Sequence, residues 1–394
     1  MSHCRCIALA ALLAALGCGG SSSAPPPQLT GGVQSVGAGI GDFTCALVAG
    51  AVECWGYNYY GQLGDGTTSL STVPAEVTTL TSGVSAIAVG GEHACALVSG
   101  GVECWGANRF GQLGLGPGTE TDVLAPPQGG VPLAVPALTQ DVVAIAAGEF
   151  HTCALVNSPS SPGNVGVECW GDNDFGQIGA PQTTATSAEP LQVPSLTTGV
   201  LAVAAGGTHS CALLADAVEC WGNNDFGQLG AASTTMSPVP VQVASLTAGA
   251  SALALGGTHS CAVVNGGALC WGNNALGQLG TPSTTTSPVP LPVEGLTSGV
   301  SAIAAGESHT CAVVNGGVEC WGDNEHGQLG NGSTSGSPTP VPVTGIATGA
   351  SGVAAGAFHT CALVNGGVLC WGDDYYGQLG NGASADSPVP VPVE

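Results

Sequence analysis

The chain has 394 residues, 65 of them glycine, and sets 26 acidic residues against two basic ones for a formal charge of −24. So acidic a chain repels phosphate backbones, which excludes nucleic-acid binding and charge-driven docking on anionic lipid. A hydrophobic content of 44% argues against disorder, and length alone would suggest two or three domains.

Taken in chain order, residues 1–17 come first. Arg5 precedes a ten-residue apolar run, Ile7–Leu16, that ends on the small residue Gly17. A short basic start, an apolar stretch of this length and a small residue at its end predict an export signal too short to span a bilayer. Ala15-Leu16-Gly17-Cys18 resembles a bacterial lipobox, which implies that Cys18 becomes the lipidated first residue of the mature chain. Ordinary cleavage with an unmodified Cys18 is the alternative. Residues 18–32, with the run GGSSSAPPP over 19–27, read as a flexible tether. Removing the signal takes away Arg5 and no acid, so Arg109 is then the only basic residue against 26 acids.

From residue 33 the chain repeats. Tryptophans at 55, 105, 170, 221, 271, 321 and 371 are separated by 50, 65, 51, 50, 50 and 50 residues. A period near 50 with turn signals between short strands points to one repeat architecture rather than several domains. Within one unit, Ser301–Ala305 is small and apolar, suited to a crowded inner strand. His309–Val314 and Val318–Trp321 read as a hairpin around the Asn315-Gly316 turn. A Gly-Gln-Leu-Gly loop follows, and then Pro338–Val343, whose alternating prolines suit an outer edge strand. Helical periodicity is absent outside the signal.

Ile303–Thr310 (IAAGESHT), followed by Trp-Gly-x-Asn-x-x-Gly-Gln-Leu-Gly, resembles the repeat of the regulator of chromosome condensation family. Kelch repeats share the period but not this pairing of motifs. The resemblance implies an all-β, seven-bladed β-propeller spanning residues 33–394. The family's best-known activity, nucleotide exchange on a nuclear GTPase, is not carried over, because no exchange-site residue can be matched in this chain.

Seventeen cysteines divide into Cys4, Cys6 and Cys18 near the N-terminus and seven repeat pairs. The pairs are Cys45 with Cys54, Cys95 with Cys104, Cys153 with Cys169, Cys211 with Cys220, Cys261 with Cys270, Cys311 with Cys320, and Cys361 with Cys370. With Asn365-Gly366 as a two-residue turn, Cys361 faces Cys370 at a non-hydrogen-bonded position, where Cα atoms lie only ~4.5 Å apart and a disulfide fits. One staple per hairpin is therefore expected. Zinc binding would need a second converging pair, and buried free thiols are the other alternative. The pairing leaves Cys18 single, in keeping with lipidation.

Six histidines (His93, His151, His209, His259, His309 and His359) hold the same repeat position, which Phe43 takes in the first unit. A ligand position would not accept a phenyl ring, so they are read as structural histidines bonded to backbone. Acidic loops such as Asp172-Asn173-Asp174 lack the ligand spacing of a calcium loop. No catalytic triad, phosphate loop or metal motif occurs, so no enzyme activity, cofactor or metal is expected.

The loop after each Trp-Gly varies in chemistry. Blades seven, one and two, neighbours in a closed ring, would place Tyr375, Tyr57, Tyr59 and Arg109 on one arc of one face. Asp172, Asp174, Asp225, Asp323 and Glu325 would lie opposite. Tyrosine with arginine is the composition of interface hot spots, so these four residues form the candidate binding patch. Two insertions, in Gly114–Pro136 and Asn157–Val165, break the period at opposite ends of the strands. The termini are expected to close the ring by sharing a blade, with Pro388–Val393 pairing beside the first unit. Together these features predict an exported, lipid-anchored, monomeric scaffold at the bacterial outer membrane or cell surface. Its partner would be a protein, or alternatively a glycan. A purely structural surface protein and a loop-face hydrolase or lyase are the rival readings; a loop-face pocket containing two carboxylates or a metal would favour the enzyme.

Overall fold

The computed structural model describes residues 29, 31–120, 130–157, 164–180 and 185–394. The signal, Cys18 and most of the tether lie outside the described residues, as do parts of both insertions. Blade one is a four-stranded antiparallel sheet in chain order: β1 (Val33–Ala38), β2 (Phe43–Val48), β3 (Ala51–Gly56) and β4 (Ser71–Glu76). Six more sheets of the same up-and-down order follow, and the described residues contain no helix.

Side-chain size sets the radial order. The inner strands converge on a central channel of about 280 Å³, to which successive blades contribute Gly37, Ala88, Ala146, Ala204, Ala254, Ala304 and Ala354. Even a methyl group at Gly37 would come within 2.8 Å of Val89 Cγ2, so the small residues are a packing requirement. At the rim, Ser387–Pro392 pairs on one side only, with Gly367–Gly372, so its prolines break no ladder.

The hairpin register matches the sequence count. Asn365 and Gly366 both have positive φ, 52° and 81°, as a type I′ turn requires. Cys361 then faces Cys370, and the two form a disulfide with Cα atoms 4.1 Å apart. The other six expected pairs are disulfides as well. Cys45 bonds Cys54, Cys95 bonds Cys104, and Cys153 bonds Cys169 across the longer hairpin. Cys211 bonds Cys220, Cys261 bonds Cys270, and Cys311 bonds Cys320. All fourteen of these cysteines are buried, and neither the zinc nor the free-thiol alternative holds for them.

The core lies between blades. Trp105 of blade two is fully buried against Leu63, Val77 and Leu80 of blade one, and Trp371 sits likewise against Leu329, Val343 and Ile346. The ring closes by the same contact, with Trp55 packed against Leu379 and Val393. The expected shared blade does not form. The described repeats begin on an inner strand and finish on an outer one, so each sheet is complete without exchange. Ser387–Pro392 belongs to the last sheet alone, and main-chain bonds from Leu29 to Val393 (3.0 Å) and from Gly31 to Gly366 (3.1 Å) cover the junction.

Candidate binding face

The turn joining β1 to β2 and the loop joining β3 to β4 emerge at the same end of the blade, as Tyr57 N–H donating to the Asp42 carbonyl (2.9 Å) shows. This end is the loop face, and hydrogen bonds between blades fix it. At the joint of blades four and five, Ser260 Oγ donates to the Gln228 carbonyl (2.8 Å), so it accepts from His209 Nε2 (2.8 Å). The same carbonyl accepts from Trp271 Nε1 at 2.9 Å. His93, His151, His259, His309 and His359 form the same relay, each to a Thr or Ser of the next blade. The partner is thus a neighbouring hydroxyl, not the backbone expected from sequence. The hydroxyl's own donation to a carbonyl makes these imidazoles neutral Nε2–H tautomers. Burial pushes their pKa down to about 3, or about 4 for His359.

One joint departs from the pattern. Between blades one and two, Phe43 stands in the histidine position, and the hydroxyl position facing it is Ala94. Both polar partners are replaced together, while Trp105 Nε1 still donates to the Gln62 carbonyl (2.9 Å).

Each loop is braced from within. Asn58 Oδ1 accepts from Leu63 N–H (2.9 Å), its Nδ2 donates to the Ser69 carbonyl (2.9 Å), and Gln62 Oε1 accepts from Tyr60 N–H (2.9 Å). Gly380 at the end of the equivalent loop has φ +68°, and a methyl there would meet Trp55 Nε1 at 2.6 Å. The repeated frame is structural, which leaves the variable positions to face solvent or each other.

On the arc of blades seven, one and two, those positions form a continuous aromatic chain. Ring centroids run Tyr375–Tyr376 4.8 Å, Tyr376–Tyr57 4.7 Å, Tyr57–Tyr60 6.4 Å and Tyr60–Tyr59 5.1 Å. These are all five tyrosines of the chain. Tyr59 and Tyr375, 60% and 71% exposed, mark its two ends. Burial, then the neighbouring rings and Glu92, push the Tyr57 hydroxyl up to about 12. Beyond Tyr59 a pocket of about 340 Å³ is lined by Tyr60, Glu92, Ala107, Arg109, Phe110 and Phe150. Arg109 lies 5.0 Å over the Phe110 ring, and its charge opposes the upward push of burial on Glu92. The structure therefore brings Tyr57, Tyr59, Tyr375 and Arg109 onto one arc. Tyr60 and Tyr376, outside the candidate patch, link the others; their position next to Tyr59 and Tyr375 was the available signal.

The opposite arc is less available than its composition suggested. Asp172 and Asp323 accept from Gln177 (2.7 Å) and Gln328 (3.0 Å) in their own loops, so these acids are braces. Where the channel opens on this face, Glu149 is pushed up to about 7 by burial and by the charges of Glu307, Glu92 and Asp172. At the seam of blades six and seven, His326 Nδ1 lies 3.0 Å from Asp386 and 3.7 Å from Asp373. Two carboxylates thus do meet on the loop face, at residues that sequence reasoning did not single out as a site. They are 13 apart in sequence and 47 and 60 from His326, with no local motif.

The repeat descriptions decide the family. Residues 104–394 match the RCC1-like domain, and residues 49–97 and 84–112 match the regulator of chromosome condensation (RCC1) repeat. The chain belongs to the RCC1-like domain family. Its propeller is similar to that of Prp20p from Saccharomyces cerevisiae, with TM-score 0.74 and 23% identity, covering 87% of this chain and 85% of that one. It is equally similar to human WBSCR16, with TM-score 0.74 and 24% identity over 87% and 94%. Among curated relatives, the human probable E3 ubiquitin-protein ligase HERC4 is 39% identical over 92 residues, 23% of this chain. This RCC1-like chain spans only 8% of the length of that relative.

Proposed function

We propose that this RCC1-like propeller is a non-catalytic protein-recognition scaffold, exported and anchored through a lipid on Cys18 at the bacterial envelope or surface. The concentration of every tyrosine onto one arc, continued by Arg109, carries the reading. Aromatic rings supply large contact area at low entropic cost, and the bidentate guanidinium supplies direction. Protein binding by a propeller of this shape has a precedent in Prp20p, whose structure was described with its binding to Gsp1p and histones. Seven hairpin disulfides favour an oxidising compartment and so the exported reading.

Capture from envelope extract by the immobilised mature chain tests it. Changing Tyr59, Tyr375 and Arg109 to Ala is expected to cut capture at least tenfold. Changing Asp174, Asp225 and Glu325 to Ala leaves it intact, and Cys18→Ser moves the chain to the soluble fraction. Equal capture by the two triple variants would sink the arc as the binding surface, and retention limited to polysaccharide would turn the reading to a glycan partner. A second reading, a loop-face hydrolase, has the Asp373–Asp386 pair behind it; turnover of chromogenic esters or glycosides that is lost in Asp386→Asn would establish it instead.

A further inference from the structure

The seam of blades six and seven departs from the repeat in a concerted way. The slot before the loop glycine holds Tyr60, Phe110, Phe175, Phe226, Leu276 or Tyr376, but His326 in blade six. The residue before the outer strand is Leu70, Met236, Thr286 or Gly336 in other blades, but Asp386 in blade seven. These two departures face each other across the seam, with Asp373 beside them: its Oδ2 accepts from Gln378 Nε2 (2.6 Å), the brace seen at Asp172 and Asp323, and its Oδ1 lies 3.7 Å from His326. One donor atom from each of His326, Asp373 and Asp386 lies within 4.8 Å of the other two. The His326 and Asp386 side chains are 39% and 45% exposed, so the cluster is open to solvent while Asp373, at 11%, forms its floor.

Two further carboxylates crowd this point and are not satisfied. Asp374 is wholly buried, its Oδ2 has no hydrogen-bond partner, and it lies within reach of the charges of both Asp373 and Asp386. Asp42, from blade one, has a buried Oδ1 without a partner and feels Asp373 and His326. The chain has no lysine, and Arg109 is on blade two, so among the described residues only His326 offers positive charge here.

We propose that His326, Asp373 and Asp386 bind one divalent transition-metal ion, with Asp42 and Asp374 as the surrounding carboxylates. One imidazole with several carboxylates is a zinc- or manganese-type donor set; calcium sites are built from oxygens alone. The ion would sit where His326 Nδ1 now faces Asp386 Oδ2 at 3.0 Å. It ties blade six to blade seven beside the tyrosine arc, where Tyr375 N–H already donates to Asp373 Oδ1 at 3.3 Å. This site is independent of the partner-binding reading, and its failure would leave that reading untouched.

The test is calorimetric titration of ZnCl₂ into the full chain, after chelation and alkylation of the free thiols that would also take zinc. The relay histidines are fully buried, so His326 is the accessible imidazole among the described residues. The expected result is one equivalent bound, a raised thermal midpoint, and affinity at least tenfold weaker in His326→Gln and in Asp386→Asn. Both side chains are part-exposed, and a native circular dichroism spectrum confirms that each variant is folded. Absence of saturable binding, unchanged affinity in either folded variant, or equal competition by Ca²⁺ would overturn the proposal.

Discussion

The joint between blades four and five and the joint between blades one and two bury the same tryptophan–carbonyl contact and differ in two side chains. In the first, His209 donates to Ser260; in the second, Phe43 faces Ala94. A buried hydrogen-bonded pair contributes only about 1 kcal/mol net, whereas a buried donor stripped of its partner costs about 1–3 kcal/mol. Loss of both partners together is therefore tolerated where loss of one is not. The apolar joint shows this double replacement already made, and it explains why the phenyl ring at residue 43 does not open the ring of blades.

The largest test of this contrast is acid. The six relay histidines have folded pKa values depressed to about 3 or 4, far below their unfolded value near 6.5. The unfolded chain binds more protons between those limits, so their contribution is present above pH ~6.5 and is lost as pH falls. Asp42, Asp374 and Glu149, raised to about 6, 6 and 7, act in the opposite sense and offset part of that loss down to about pH 4. Denaturation midpoints should thus decline from pH 6.5 to 4 and about twice as steeply from pH 4 to 3, by up to about 1.4 kcal/mol per pH unit for each net proton taken up on unfolding. A midpoint flat over this range would mean that the imidazoles are not held neutral.

A smaller effect comes from breaking a single relay. Ser260→Ala leaves the buried His209 N–H orphaned and should cost about 2–3 kcal/mol in urea denaturation. Adding His209→Phe, which copies the apolar joint, should recover most of it. The smallest effect runs the other way. Phe43→His opposite Ala94 should destabilise by about 2 kcal/mol, and Ala94→Thr should then restore about 1 kcal/mol. Additive changes in either cycle would dissolve the contrast between the joints.

What could be read from the sequence was what neighbours along the chain decide. The Asn-Gly turn fixes the register of Cys361 on Cys370, the alternating prolines mark the rim, and the small residues of Ser301–Ala305 mark the axis. The relay joins residues 51–59 apart, and 315 apart where His359 meets Thr44 at the closure, so the partner of each histidine was invisible from within one unit. Its trace was nonetheless present: Ala94 is the one repeat lacking a hydroxyl there, and it follows the one repeat lacking the histidine. The expectation of a shared blade had Pro388–Val393 pair beside the first unit, whereas Ser387–Pro392 pairs with Gly367–Gly372 of its own repeat. The arc was legible in Tyr57, Tyr59, Arg109 and Tyr375, but not its continuity, which depends on how Tyr60 and Tyr376 turn between blades. The seam of His326, Asp373 and Asp386 exists only in three dimensions.

The hairpin staples also bear on how the chain reaches this state. Every repeat cysteine has its native partner as its nearest repeat cysteine, nine residues away in six pairs, while the closest competitor of Cys54 is Cys95, 41 residues on. Chain-closure statistics favour the near partner about tenfold before any blade has formed. Correct oxidation is therefore the statistically preferred outcome in the extended chain. Each hairpin can be oxidised on its own, in any order, without waiting for the ring to close.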